Sequence, residues 1–314
     1  MNSIWSETVK IDERPILEKD LSVDTAVIGA GRVGVLTAFL LQENGIETVV
    51  IEADRIGGGQ TKNTTAKITA QHGVTYDRLI KDLGEKKAKQ YAYANMQAIE
   101  EYGRIIKKYG LECQFEERPA YLYTKLSPEI LRQEAEAARN LGIDAHFTTE
   151  TELPFSIAGA LRFNGQAVFH PLEFLKGLAE RLTVYEHTKA LSVQDNEIIT
   201  DRGKVKAKHI VFATHFPIIN VPGYYFAKMH QGRSYVIALE NTPPMKGMYY
   251  GIDPDGLSFR PADEIMLLGG GGHKTGENYL GGKYSMLRAK AAEFWPQSRE
   301  AACWSAQDCM TPDG

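Results

Sequence analysis

The sequence predicts an α/β (α+β mixed) chain in which two kinds of sheet interleave, and three observations carry that reading. Residues 24–52 run from an apolar strand through Gly29, Gly31 and Gly34 into an amphipathic helix, then into a second apolar strand closed by Glu52. From Val184 onward, short alternating segments separated by turn residues read as antiparallel strands. The two patterns alternate along the chain, so each sheet is expected to be assembled from discontinuous pieces.

The first segment has a definite chemistry. Gly29 suits the tight turn out of the strand, where a Cβ would clash. Gly31 lets the backbone approach a pyrophosphate, and Gly34 with Ala38 keeps the helix close to the sheet. The helix N-terminus then offers unpaired amides and a partial positive charge to phosphate. Leu36, Phe39 and Leu40 recur at helical spacing, and Asn44-Gly45 is a stop signal. Glu52 follows Gly34 by eighteen residues, where an acid accepts hydrogen bonds from ribose hydroxyls and repels a 2′-phosphate. The unit therefore reads as a Rossmann-like βαβ site for FAD or NAD rather than NADP.

Composition excludes several classes. The 314 residues are 43% hydrophobic and 24% charged, which is ordinary for a globular chain of more than one lobe. A net charge of −4 gives no case for nucleic acid or an anionic membrane. No apolar run is long enough for an integral membrane segment, and the N-terminus lacks a basic then apolar leader. Cys113, Cys303 and Cys309 are sparse and have no metal-ligand spacing, so the expectation is packing thiols, no metal, and a cytoplasmic setting.

Along the chain, residues 1–21 read as an irregular lead-in and Gly57–Thr65 as a polar loop. Residues 76–109 read as largely helical, stopped by Gly110. Cys113–Thr124 reads as a strand pair about Arg118-Pro119. Ser127, as N-cap, opens a helix to Asn140, and Pro171 opens another to Leu182. Ala190–Val193, Glu197–Thr200 and Lys204–Lys206 form a meander, followed by a strand over 208–213. Ser234–Leu239, Gly247–Ile252, Leu257–Arg260 and Glu264–Leu268 alternate as an antiparallel sheet.

An NAD dehydrogenase continues βαβαβ after the ribose-binding acid, and this chain does not. Its Gly57–Thr65 loop resembles that of the D-amino-acid oxidase and glycine oxidase (DAO) family, which wraps the flavin pyrophosphate. Val168-Phe-His-Pro171, His209-Ile-Val-Phe-Ala-Thr214 and Leu267-Leu-Gly-Gly-Gly-Gly-His-Lys-Thr-Gly276 resemble later segments of the same family in the same order. His215 stands where that family usually has glycine. Thr64-Thr-Ala-Lys-Ile-Thr-Ala-Gln-His-Gly73 and Trp304-Ser-Ala-Gln-Asp308 further resemble the bacterial subgroup that carries a C-terminal Rieske domain. The paired C-x-H and C-x-x-H ligands of a Rieske centre are absent from this sequence.

The resemblance implies a Rossmann-like FAD-binding domain interleaved with an antiparallel-sheet substrate domain. The expected division is 1–75 (βαβ and flavin loop), 76–150 (helical part of the substrate domain), 151–222 (second FAD-binding part) and 223–300 (antiparallel sheet). Residues 301–314 would start a truncated C-terminal FAD-binding segment, because Thr311-Pro-Asp-Gly314 lies in the family just before a last flavin-contacting strand and helix. The cofactor residues implied are Gly29, Gly31, Gly34, Glu52, Ala53, Thr61, Lys62, Thr64, Thr65, Ala190, Ala213 and Thr214.

The function implied is an FAD-dependent oxidoreductase that oxidises an amine or amino-acid-like C–N bond by hydride transfer to flavin. Electrons would pass to oxygen or to an iron–sulfur acceptor. The rivals are a truncated flavin-binding protein without catalysis and an NAD-linked dehydrogenase. His72, after the flavin loop, is a candidate facing the ring, against an ordinary structural role. Tyr249 and Arg260 are candidates for a donor pair on a substrate carboxylate, against fold-stabilising roles. In the family's amino-acid oxidases an arginine commonly precedes Thr-x-Asp-Gly and clamps the carboxylate. Asp308 and Cys309 stand there instead, which favours amines over amino acids.

Overall fold

The computed structural model describes residues 2–221, 223–277 and 281–311. Val27 is fully buried within Leu21–Ile28, a strand covered on both faces as parallel strands are. This strand pairs in parallel with Thr48–Ile51 on one side and Lys204–Phe212 on the other. Thr183–Tyr185 extends the sheet beyond Thr48–Ile51, and Glu197–Thr200 with Ala190–Gln194 closes the far edge in antiparallel fashion, giving six strands. The 12-residue helix Arg32–Glu43 packs Val35, Ala38 and Phe39 toward this sheet.

The second sheet has eight strands. Its order is Arg299–Met310, His230–Glu240, Ile265–Lys274, Ser258–Ala262, Met248–Gly251, Ala120–Thr124, Gly159–Phe163, Ala145–Thr148. All pairs are antiparallel except Met248–Gly251 with Ala120–Thr124, where two distant chain segments meet in parallel. One face carries Val236, Leu267 and Trp304 into a core shared with Val27, Phe39 and Phe169 of the first lobe. The opposite face packs Ile237, Leu268 and Phe259 against Leu287 of the helix Lys283–Phe294. The mixed, interleaved architecture expected from sequence is therefore the architecture observed, and among the described residues no helix is long and apolar enough to cross a membrane.

Several local expectations are corrected. The lead-in holds a short helix, Ile4–Thr8, capped by Ser3, whose Oγ accepts from the Ser6 amide. Residues 76–109 are two helices, Tyr76–Leu83 and Glu85–Tyr109, because Gly84 at φ 79° leaves helical space between them. The strands around Arg118-Pro119 do not pair with each other. Glu116–Glu117 joins Ala167–Val168, whereas Ala120–Thr124 joins the eight-stranded sheet. Ser127 is not a cap; Pro128 precedes the helix Glu129–Asn140 without a side-chain hydrogen bond. Lys204–Phe212 is one strand rather than two. Residues 299–310 form an edge strand of the large sheet, and Pro312–Gly314 lie outside the described residues.

His170 ties the N-terminal helix to the helix that begins at Pro171. It is the N-cap of Pro171–Ala179, with Nδ1 accepting from the Glu173 amide at 3.2 Å. Its Nε2 meets Thr8 Oγ1 at 2.9 Å, and Thr8 donates onward to the Ile4 carbonyl. That pattern fits the neutral imidazole with its proton on Nε2. Burial, with the Arg260 charge nearby, pushes its pKa down to about 4. The unfolded chain binds this proton near pH 6.5 and the folded chain only near 4. Stability from His170 is thus present above 6.5 and lost as pH falls toward 4, by at most ~3 kcal/mol. Denaturation of wild type and His170→Gln at pH 7 and pH 4.5 checks this: the loss between the two pH values should be smaller in the variant by about 1–3 kcal/mol.

Candidate active site

A groove of about 800 Å³ runs along the junction of the two sheets. Its first end is the glycine turn. Gly29 has φ +107°, and a Cβ there would lie 2.6 Å from the Ala213 carbonyl oxygen. A Cβ on Gly34 would lie 1.8 Å from the Gly29 oxygen, a distance no packing adjustment absorbs. Gly34 therefore serves helix–strand approach and does not line the groove, whereas Gly29 and Gly31 do. The amide of Arg32, in the first helical turn, donates to Thr61 Oγ1 at 2.9 Å, so the flavin-type loop already caps the phosphate-favouring helix end.

Glu52 stands at the end of its strand, with both carboxylate oxygens engaged by backbone. Oε2 accepts from Ala30 at 2.6 Å and Oε1 from Asp54 at 2.9 Å. Each oxygen keeps a second acceptor position for a ribose hydroxyl. Ala53, Thr64, Thr65, Ala190, Ala213 and Thr214 also line the groove, and Lys62 does not. Arg32, Arg55 and Lys189 add positive charge along it, a group the sequence pattern did not single out. Arg55 is fixed by the fully buried Glu186 at 3.1 Å and by Glu13 at 3.3 Å. His215 has φ 64°, the left-handed region that explains why glycine is usual there.

The loop after Glu52 is held by two indoles. Trp304 Nε1 donates to the Asn63 carbonyl at 3.0 Å and Trp5 Nε1 to the Thr64 carbonyl at 2.8 Å. Thr64 Oγ1 itself accepts from the Ala66 amide. Trp5 lay in a segment with no evident periodicity, and an isolated tryptophan there was the only sequence signal.

Beyond the loop lies a cavity of about 280 Å³, whose lining includes Lys67, His72, Tyr249 and Tyr250. One cross-strand row joins it to the groove. Val236 lies opposite Gly269, Gly269 opposite Ser258, and Ser258 opposite Tyr250. Val236 belongs to the groove and Tyr250 to the cavity. With strands ~4.8 Å apart, the row spans about 14 Å.

The three catalytic candidates fare differently. His72 lines the cavity, with Nδ1 3.1 Å from the Tyr91 hydroxyl, and burial lowers its pKa. Tyr249 also lines it, yet its ring stacks on Tyr121 at 4.6 Å and its hydroxyl donates to Glu152 Oε2 at 3.1 Å. Burial raises its pKa, so it stays a phenol. Arg260 does not reach the cavity. Its guanidinium donates to the carbonyls of Pro261 and Phe169 at 3.0 and 2.8 Å, and lies 5.0 Å from the Trp5 ring. Burial beside Arg118 lowers its pKa to about 9. The expected Tyr249–Arg260 carboxylate clamp is therefore not assembled; Arg260 is core architecture, because its donors go to backbone carbonyls in the interior.

A glycine turn with a ribose-type acid, at the edge of a mixed sheet with a cavity beyond it, defines a dinucleotide-binding protein. The chain belongs to the FAD dependent oxidoreductase family, DAO, whose profile matches residues 24–314. It is 33% identical, over 98% of its length, to the putative Rieske 2Fe-2S iron-sulfur protein YhfW of Bacillus subtilis, of which it spans 64%. It is 25% identical over 63% of its length to gamma-glutamylputrescine oxidoreductase of Escherichia coli, spanning 50% of that protein. The chain thus spans about half to two thirds of these relatives. Among solved structures, glycine oxidase from Geobacillus kaustophilus matches with a TM-score of 0.73 at 16% identity, over 94% of this chain and 84% of that one. L-proline dehydrogenase from P. horikoshii matches at 0.74 and 17%, over 94% and 83%. These two likenesses show the fold.

FAD is the cofactor of this family, and the groove fits it: a Cβ-free turn where a pyrophosphate would pass, a ribose-directed carboxylate, and three cations along the wall. Two substitutions separate affinity from architecture. Gly34→Ala should collapse FAD binding together with stability, since its Cβ displaces the helix. Glu52→Ala should lower FAD affinity about tenfold or more, and should also cost ~1–2 kcal/mol of stability by orphaning the Ala30 and Asp54 amides. Flavin titration and urea denaturation of each variant are the measurements; unchanged affinity in Glu52→Ala would remove Glu52 from the site.

Proposed function

We propose that this chain holds FAD along the groove and oxidises an amine or amino-acid-like C–N bond by hydride transfer to flavin. The ADP half would lie on Gly29, Gly31, Arg32 and Glu52. The isoalloxazine would lie over the sheet row Val236–Gly269–Ser258, where glycine leaves the strand surface flat. The observation that carries the reading is the cross-strand row that links Val236 of the groove to Tyr250 of the cavity. The names of the relatives agree in kind: one acts on gamma-glutamylputrescine, others on glycine and proline. When bound, FAD supplies a two-electron acceptor for the hydride of the carbon bearing nitrogen.

The chain's own residues handle the proton and the water. An amine must lose its ammonium proton before its lone pair can close the C=N bond. His72 is suited to take that proton, because partial desolvation lowers its pKa and its Nδ1 meets the Tyr91 hydroxyl. The rings of Tyr121 and Tyr250 line the cavity on either side of the space a substrate would enter. The electrons would leave to oxygen or to an iron–sulfur acceptor, the latter supported by the Rieske designation of YhfW.

Anaerobic mixing tests this. Purified chain should show a flavin spectrum that bleaches when a primary amine or amino acid is added. His72→Asn should keep FAD and slow bleaching at pH 7 by about 10²-fold. A flavin spectrum that no amine or amino acid bleaches would remove catalysis from the proposal. A chain that binds NAD and not FAD would overturn it.

A further inference from the structure

Lys67 is the one ammonium among the cavity's lining residues, and none of those residues is Asp or Glu. It sits three residues past Thr64, on the short strand Lys67–Ile68, so one continuous segment passes from groove wall to cavity wall. Its hydrogen bond goes to a neutral group, Ser258 Oγ, at the long distance of 3.3 Å. An ammonium has three donors and is costly to enclose without an anion.

The surroundings do not supply that anion. The strand Ser258–Ala262 presents Ser258 and the charged Arg260, whose own donors go to carbonyls. The strands Ala120–Thr124 and Met248–Gly251 present Tyr121, Tyr249 and Tyr250, and the loop after Lys67–Ile68 presents His72. Glu152, bonded by the Tyr249 hydroxyl, is not in the lining and is also engaged by the Lys246 and Gly247 amides. Glu116 shares the small three-stranded sheet, opposite the same Val168 as Lys67 and so about 10 Å away across two strand spacings. It is already paired with Arg118 at 2.7 Å. Desolvation and Arg260 together hold the Lys67 pKa down at about 8. Lys67 is thus a cation in the wall of a cavity whose lining holds no carboxylate.

We propose that Lys67 is the anion-binding group of this cavity, and that the substrate is an amino acid whose carboxylate docks on its ammonium. This rests on the flavin reading above and narrows its substrate class. It also removes the objection drawn from Asp308. That residue lies on the edge strand opposite Gly232 and lines the groove, not the cavity, so its charge does not stand where the carboxylate docks. The clamp is supplied by a lysine on the flavin loop instead of an arginine near the C-terminus.

Proton linkage gives a test independent of turnover. A carboxylate on Lys67 raises the ammonium pKa, so binding at pH 8 should take up about half a proton, and binding at pH 6 almost none. The probe is propionate, which has no C–N bond to oxidise, with propionamide as its neutral isostere. Calorimetry on the FAD-loaded chain in buffers of different ionisation enthalpy reads the uptake. The expected results are propionate binding with uptake at pH 8, at least tenfold weaker propionamide binding, and affinity that falls above pH 8. Lys67→Met should lose at least tenfold in propionate affinity and all uptake. Lys67→Arg should bind propionate without uptake, since guanidinium stays charged. Melting curves confirm that both variants fold. Propionate binding that Lys67→Met leaves unchanged, or wild-type binding with no uptake at pH 8, overturns the assignment. If FAD is held and a neutral-tailed amine bleaches it while propionate fails to bind, the flavin reading stands and the Lys67 proposal falls. If FAD does not bind, the flavin reading falls.

Discussion

The loop from Ile56 to Gly73 belongs to neither sheet and touches both, and the site depends on how its backbone is satisfied. A buried irregular segment carries carbonyls that no strand partner covers. Here the donors come from side chains of three remote elements. Trp5 from the N-terminal helix and Trp304 from the last strand bond successive carbonyls at Thr64 and Asn63. Arg260 from the large sheet bonds the Phe169 carbonyl and reaches that of Ala66, at 3.4 Å. Gln60 completes the set by accepting the Gln307 amide. Groove and cavity lie on successive stretches of this one loop, so fixing it fixes both.

Charge follows the same geometry. At the nucleotide end, Glu52 is held by two amides while Arg32, Arg55 and Lys189 line the wall, an arrangement suited to a diphosphate between sugars. At the cavity end the balance is reversed, with Lys67 and Arg260 enclosed and no carboxylate in the cavity wall. Such an imbalance is tolerable because the terminal Arg260 nitrogens meet carbonyls and Lys67 can shed its proton near pH 8. Glu186 and Glu134 show the opposite solution. Each is fully buried, and each is met by backbone amides: Arg14 and Ile56 for Glu186, and Thr75, Tyr76 and Asp77 for Glu134. Glu134 thereby caps the helix that follows the His72 loop.

The row of glycines from Gly269 to Gly272 has a reading that periodicity alone does not give. In most strands glycine weakens packing. Here Gly269 stands between Val236 and Ser258, and a Cβ would come within 3.0 Å of Ser258 Oγ, the partner of Lys67. Its absence leaves a flat patch on the sheet at the point where groove becomes cavity.

What the sequence determined was set by neighbours along the chain, though not every local signal read true: Ser127 is no cap, and the break at Gly84 went unmarked. The βαβ unit was legible because the strand, glycine turn, helix and terminal acid all obey local rules, and the helix stop at Gly110 likewise. The cofactor end of the site was legible for the same reason, since Gly29, Gly31 and Glu52 act through a single supersecondary unit. Tertiary structure decided the rest. No local rule tells Arg260 from a clamp arginine; only its contact with carbonyls 91 residues away does so. Nor does any local rule mark Trp5 as a loop anchor, or show that Met248–Gly251 pairs in parallel with a strand 128 residues earlier. The sequence assigned Lys67 no role, because a lysine's role is fixed by what surrounds its ammonium. That surrounding was built by strands from three other parts of the chain.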